Sequence, residues 1–471
     1  MAGIGFKLNQ IMKNRTIAGD ILAFSYSAIV SAGPWIITSF TLWLLLSVLQ
    51  SSNIYFNSAM IYSSVFSSLL TSGILMVETR LISDLIYAKK YTYIFSEVVT
   101  LSAVMALISF FAAFFFFTIY SSHPLWLKIS STWLLISFSV LWITSIAAVS
   151  AESYERYILG FIVAGFMSMT LSYIFGANFG PAGNIYGYAI GLNVGSAYML
   201  YMIGEYFGFT LKISFRWIRS LMHYWQNVLI GVFYYLAIWS DDIVTWFSRY
   251  GEEHLAGFRF SYVYDAPMFV AYLTTIPTMT MFVLVLETSF YSKYRTFYDG
   301  LTSGSTLSEI EMYKYNMVNE MKNNIALVVK FQVLVTAMIF FMNEFQVLPL
   351  IPGVSKYIFR IGLIGAMMNG FYLMIMLLLL YFDFRKEVLV VTFFISCINP
   401  FLSNFFLNWV GVKAMGFSFA ITFTVGVFLA YNILIKKTEN IIRLEYKRQK
   451  LDVPQTDVVV MENIKKYVEE Q

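Results

Sequence analysis

The chain has 471 residues, of which 59% are hydrophobic, 19% aromatic and 12% charged, with a net charge of +4. A soluble domain carries about 25% charged residues, and a water-solvated globule could not hide this much apolar surface. The composition excludes a soluble enzyme, a disordered chain and a disulfide-stapled secreted scaffold, and leaves a polytopic membrane protein.

In lipid every backbone amide must be satisfied within its own segment, and no period-2 barrel pattern is visible, so the expected fold is all-α. Spans need about 20 mostly apolar residues, and about twelve runs qualify. The first run, 20–49, is too long for the core of a signal sequence and reads as a transmembrane helix. Next come 56–86, 97–120, 126–150, 157–177 and 183–206, then 225–248, 255–289, 323–345, 357–382, 388–410 and 414–435. With the N-terminus inside, about 23 Lys and Arg fall in inner segments, among them Lys89, Lys90, Lys212, Arg216, Arg219, Arg385 and Lys386. Only Lys128, Arg249, Lys356 and Lys413 fall outside, which predicts that both termini are cytoplasmic. The outer loops are too short to hold a catalytic domain.

The segment 290–322 carries Thr306 with Glu309 three residues later, a capping-box pattern that predicts a cytoplasmic helix. The long inner connection near the middle gives four parts: a six-helix half 1–206, a linker 207–224, a second six-helix half 225–436 and a charged cytoplasmic tail 437–471. The halves echo one another weakly. Glu78-Thr79 ends the second span of the first half, and Glu287-Thr288 ends the second span of the other. Parallel repeats of this kind carry substrate between the halves.

Ionisable residues inside spans are costly and therefore functional candidates. Asp241 and Asp242 follow Trp239-Ser240, and their helical positions differ by about 100°, so at least one should face an interior cavity. They line a hydrophilic path or carry a coupling proton; alternatively one pairs with Arg259. Arg259 and Asp265 are six residues apart, which is not pair geometry within one helix, so each needs a partner elsewhere. Pro267 and Pro277 interrupt the amide ladder of that span. Glu78, and Glu287 as its counterpart, sit at inner ends, as structural or gating groups or as part of the substrate or coupling path. Arg80 and Asp84, four apart, read as a gating ion pair. Lys330 and Arg360 lie near helix ends, where they can snorkel. Trp126, Trp217, Trp225 and Trp409 fit an interfacial aromatic belt, and other aromatic residues could stack on sugar rings. Cys397 has no disulfide partner, and His123, His223 and His254 have no metal-ligand spacing, so neither a metal nor another cofactor is expected.

Several motifs carry a family resemblance. The start Met1-Ala2-Gly3-Ile4-Gly5-Phe6 and Ser31-Ala32-Gly33-Pro34-Trp35 resemble the Pel exopolysaccharide exporter family (PelG-like). So do Tyr264-Asp265-Ala266-Pro267-Met268-Phe269, Tyr272-Leu273-Thr274-Thr275-Ile276-Pro277, Glu287-Thr288-Ser289-Phe290-Tyr291, Phe297-Tyr298-Asp299 and Tyr381-Phe382-Asp383-Phe384-Arg385. The resemblance runs to about residue 435 and leaves out the tail. It implies a twelve-helix fold of the MOP flippase superfamily, MATE-like, in a bacterial plasma membrane. It implies export of Pel, a polymer rich in galactosamine and N-acetylgalactosamine, for the biofilm matrix. It also implies partnership with a cytosolic glycosyltransferase and membrane regulatory subunits; no nucleic acid is expected. The alternatives are a lipid-linked oligosaccharide flippase or a cation-coupled drug antiporter on the same fold. A membrane-embedded glycosyl- or acyltransferase fits poorly with few histidines and short outer loops, so no enzyme is expected. A pure anchoring scaffold would have no need of buried charge.

Overall fold

Each long apolar run closes its own amide ladder, and the computed structural model is accordingly a helical bundle. It describes residues 21, 23–25, 27–28, 39–41, 54–117, 123–151, 153–212, 214–255, 257–347 and 355–448, apart from the side chains of Tyr154, His254, Leu255 and Glu287. The motifs 1–6 and 31–35, most of the expected first span and the tail from 449 lie outside the described residues.

Numbered from the first continuous helix, the elements are α1 (Ile54–Tyr87), α2 (Ile94–Phe115), α3 (Leu125–Val149), α4 (Tyr154–Phe207), α5 (Arg216–His223) and α6 (Trp225–Trp246). A hairpin of β1 (Glu252–Leu255) and β2 (Phe258–Phe260) follows, then α7 (Tyr262–Leu273), α8 (Ile276–Val285), α9 (Tyr291–Thr302) and α10 (Leu307–Glu344). The chain continues as α11 (Ser355–Tyr381), α12 (Arg385–Trp409), α13 (Phe417–Glu439) and α14 (Ile441–Arg448). Among the described residues ten helical stretches are long and apolar enough to cross a membrane. Gly180, at φ +65° and followed by Pro181, divides α4 into two passes. With α4 counted twice, the ten stretches match every expected span except the first.

Two large apolar cores form among the described residues, beside a small cluster of Ala271, Phe359, Leu363 and Ala366. One gathers α1–α4 around Tyr62, Leu134, Phe161 and Tyr188. The other gathers α6–α14 around Tyr234, Tyr264, Tyr372 and Phe423. Between them α1 crosses α6 closely. A Cβ on Gly231 would stand 2.4 Å from the Ser72 carbonyl oxygen, and one on Gly73 would stand 2.8 Å from Val228. Gly231→Val is expected to push these helices apart at a cost of about 1–3 kcal/mol, read as a lower melting temperature in detergent.

The Thr306–Glu309 capping box forms as expected and starts a helix, with Thr306 N–H donating to Glu309 Oε2 at 2.8 Å, and α10 then runs unbroken into the next span. Two expectations need correction. Arg259 is not inside a helix: it lies on β2, because the chain turns back as a short hairpin before α7 begins. Arg360 does not snorkel alone; it forms a two-pronged ion pair with Glu344 at 2.5 and 2.6 Å, because the facing ends of α10 and α11 bring the two together.

The span expected at 255–289 is broken, as its prolines suggested, but mainly at Thr274–Thr275, ahead of Pro277. Proline leaves the carbonyl four residues back without its usual donor. Ser355 Oγ fills that role for Val263, opposite Pro267, at 3.1 Å. At the break itself the Thr274 carbonyl accepts from buried Gln332 Nε2 at 2.8 Å.

Candidate functional site

A cavity of about 350 Å³ lies where α1 and α3 face α6, β2 and α7. Aromatic side chains wall it, chiefly Phe138, Trp142, Trp239, Trp246 and Tyr272. Asn57, Ser64, Ser68 and Ser145 give one side hydroxyl and amide groups, and Asp242 and Asp265 supply negative charge. No Lys, Arg or His is among its described lining residues. The wall is therefore apolar and acidic, a lining that takes flat or ring-shaped groups bearing hydroxyls or positive charge.

The carboxylates differ in their partners. Asp241 turns into the second core, accepting from the Tyr264 hydroxyl and from Asn399 Nδ2 at 3.0 Å. Asp265 accepts from the Trp246 indole at 3.0 Å on both oxygens and from the Ser261 N–H at 3.0 Å. Asp242 is buried beside the cavity, and its Oδ2, closed to solvent, has no hydrogen-bond partner among the described residues. Of the two carboxylates that line the cavity, it is the one the fold leaves incompletely paired.

Arg259 pairs with neither Asp241 nor Asp242. Its guanidinium donates to the carbonyls of Trp246 at 3.0 Å and Gly251 at 2.9 Å, and lies 3.8 Å from Glu253. It thus caps the C-terminal end of α6. The backbone of Arg259 also exchanges hydrogen bonds of 2.8 Å with the Tyr62 hydroxyl. Tyr62 stacks on Trp246 at 5.2 Å, so α1 is tied to the cavity wall on the other side. A second tie is Trp239 Nε1 donating to Ser68 Oγ at 3.0 Å.

Glu78 is buried on α1, away from the cavity lining, and neither of its oxygens has a hydrogen-bond partner among the described residues. Leu75, Leu81, Ile82 and Leu85 of the same helix belong to the first core. A buried polar group without partners costs about 1–3 kcal/mol. Glu78→Met is expected to raise thermal stability by about that amount, checked by unfolding in detergent. Glu287 lies on a π-helical turn, Leu286–Phe290, and its side chain lies outside the described residues.

About four turns along α1 from Ser68, at the end where Lys and Arg concentrate, the helices are latched together. Arg80 and Asp84 form no ion pair with each other, correcting the expected gating pair: each finds a partner across the bundle that sequence spacing cannot reveal. Arg80 Nη2 donates to the Leu380 carbonyl at 2.8 Å. Asp84 Oδ2 accepts from the Tyr224 hydroxyl at 2.7 Å. Arg385 lies 4.7 Å over the Tyr224 ring and pairs with Asp383 at 2.6 Å. Burial first, then the bond to Asp84 and its charge, push the Tyr224 hydroxyl above its ordinary range. Tyr224 therefore stays a donor throughout the physiological pH range.

The turn that receives these contacts is itself strained and braced. Asp383 has φ +60°, a conformation unfavourable for a residue with a side chain. Arg448 of α14 donates to the Phe382 carbonyl at 3.1 Å and the Asp383 carbonyl at 3.2 Å, and lies 5.0 Å over Phe384. Arg448→Ala is expected to loosen this turn, seen as about tenfold faster amide exchange at 382–386, which corresponds to about 1.4 kcal/mol.

Sequence reading missed the Phe138, Trp142 and Trp246 walls, the Tyr264 and Asn399 partners of Asp241, and Tyr224, Leu380 and Arg448 in the latch. The one local signal was Trp239-Ser240 preceding the acidic pair. Trp126, Trp225 and Trp409 are exposed on the outside of the bundle, where lipid-interface residues belong.

A helical bundle with a cavity between two helix groups is the fold of solved transporters of the MOP superfamily. An outward-facing multidrug resistance MATE family transporter of the MOP superfamily matches with a TM-score of 0.61 at 13% identity, covering 88% of this chain and 96% of that one. MATE in the bent conformation matches with a TM-score of 0.63 at 12% identity, covering 94% and 99%. A MOP superfamily transporter from Pyrococcus furiosus Vc1 (DSM3638), described as having a binding pocket of reverse polarity, matches with a TM-score of 0.53 at 12% identity, covering 88% and 96%. No curated protein matches the sequence. The family model "PelG: Putative exopolysaccharide Exporter (EPS-E)" matches residues 1–446, and the chain belongs to that family. The match extends past residue 435 to include most of α14, which the motifs alone had left out.

Proposed function

We propose that this protein exports a Pel-type exopolysaccharide, rich in galactosamine and N-acetylgalactosamine, across a bacterial plasma membrane for the biofilm matrix. The observation that carries this reading is an aromatic-walled cavity lined by the carboxylates Asp242 and Asp265, with no positive side chain among its described lining residues. Sugar rings present C–H faces to Trp142, Trp239 and Trp246, and hydroxyls or amino groups to Asp242 and Asp265. Both termini face the cytoplasm in this reading, and 1–206 and 225–436 act as two halves around the cavity, joined by 207–224. The tail 437–471 and the latch end then face the cytosolic glycosyltransferase and membrane regulatory subunits that deliver the polymer.

At about 350 Å³ the cavity is at the small end of ligand pockets. It holds a short stretch of polymer, so a long chain passes by repeated steps. The same size favours a second reading, a bounded substrate such as a lipid-linked oligosaccharide or a cationic drug. A deletion strain with and without the restored gene separates them. Loss of galactosamine-containing polymer outside the cell, with stalled synthesis inside, supports the first reading. Unchanged outside polymer together with an accumulating lipid-linked intermediate, or lost drug resistance, overturns it in favour of the second.

A further inference from the structure

The segment joining α4 to α6 carries an apolar stripe with no protein covering it among the described residues. Phe215, Ile218, Met222 and Trp225 recur at three- and four-residue spacing, on one side of α5 and its flanks, and are 64%, 37%, 73% and 52% exposed. The opposite side is fixed to the bundle. Arg216 lies 3.6 Å over the Tyr93 ring, Ser214 donates to Glu97, and Trp217 packs against the first core. The exposed face therefore cannot roll inward. Both ends of the segment, Phe207 and Trp225, are ends of helices long and apolar enough to span a membrane, which holds α5 at the level of the bilayer surface. Lys212 and Arg219 are exposed beside the stripe, and their side chains have no partner among the described residues.

We propose that α5 is an interfacial helix that sinks Phe215, Ile218, Met222 and Trp225 into the acyl boundary of the leaflet and sets Lys212 and Arg219 against the phosphates of anionic phospholipids. Apolar burial and attraction between basic side chains and anionic headgroups are the two terms that hold such helices on a membrane. A single Lys or Arg near an anionic surface is worth about a fivefold preference. Through its contacts with Tyr93 and Glu97, the helix ties the start of α2 to the leaflet, so membrane charge acts on the joint between the two helix groups. This inference does not depend on what the cavity carries.

The test uses the full-length protein with Cys397→Ser, which removes the sole cysteine, and Met222→Cys carrying a spin label. It is reconstituted in phosphatidylcholine vesicles with increasing phosphatidylglycerol. Collisions with oxygen should exceed those with a water-soluble nickel reagent, marking an immersed site. Phosphatidylglycerol retained at the labelled site in preference to phosphatidylcholine, read from competition between the two lipids, should fall about 25-fold in Lys212→Gln/Arg219→Gln, about fivefold for each charge removed. Phe215→Cys serves as a second label position if Met222→Cys does not fold. A label open to nickel in vesicles overturns the proposal. If that label is shielded only in native membranes, a protein partner covers the stripe instead. Immersion with phosphatidylglycerol retention unchanged in the double variant overturns the headgroup assignment.

Discussion

Asp242→Asn is expected to lower polymer outside the cell about 10- to 100-fold at unchanged protein level, the effect of losing one charge-assisted contact of about 1.5–3 kcal/mol. The reason is geometric. Asp242 is a lining residue of the cavity and its Oδ2 accepts from no group among the described residues, so its substitution strands no donor at that oxygen. Its neighbour should behave in the opposite way. Asp241 accepts from Tyr264 and Asn399 inside the second core. An amide at that position turns a nitrogen toward at least one existing donor, so Asp241→Asn should cost about 1–3 kcal/mol of stability and reduce the amount of protein in the membrane. Quantifying extracellular polymer and membrane protein for both variants in one strain decides the matter. Normal export from Asp242→Asn, with export lost at full protein level in Asp241→Asn, would reverse the two roles.

Arg80→Ala combined with Asp84→Ala is expected to open the latch end of the bundle. The part-buried Arg80–Leu380 bond involves a charged donor, while the Asp84–Tyr224 bond is exposed and weaker. Together they hold about 2–3 kcal/mol, so their loss shifts a two-state equilibrium roughly 30- to 150-fold toward the open form. Spin labels at Lys89 and Lys386, introduced as cysteines without Cys397, read the change as a longer distance population. The cavity end should remain closed by the Trp239–Ser68 and Tyr62–Arg259 contacts. An unchanged distance distribution in the double variant would mean that these contacts do not gate the bundle. Arg448→Ala alone should give a smaller shift, since it braces the receiving turn without bridging to α1.

The resemblance seen in scattered motifs such as Tyr264–Phe269 and Tyr381–Arg385 agrees with the family match. Spacing rules failed where partners lay far apart in sequence. Arg80 and Asp84 satisfy the i,i+4 rule, yet Arg80 reaches Leu380, 300 residues away, and Asp84 reaches Tyr224, 140 residues away. Arg259 sits within an apolar stretch, yet Gly257, at φ +97°, closes a hairpin there and takes Arg259 out of any helix.

Hydropathy is a local property, and lipid enforces it segment by segment. The membrane class, the helical fold, the span positions and the acidic pair at Asp241-Asp242 were therefore legible in the sequence. Which carboxylate meets the cavity was not. Adjacent residues on a helix point about 100° apart, and only the packing of α6 against α7 and α12 on one side and α1 on the other assigns Asp241 to the core and Asp242 to the cavity. The aromatic residues are divided by the same packing, Trp239 and Trp246 to the cavity wall and Trp225 and Trp409 to the outer surface. Their side chains are chemically alike, and only the neighbours brought by the tertiary fold tell them apart.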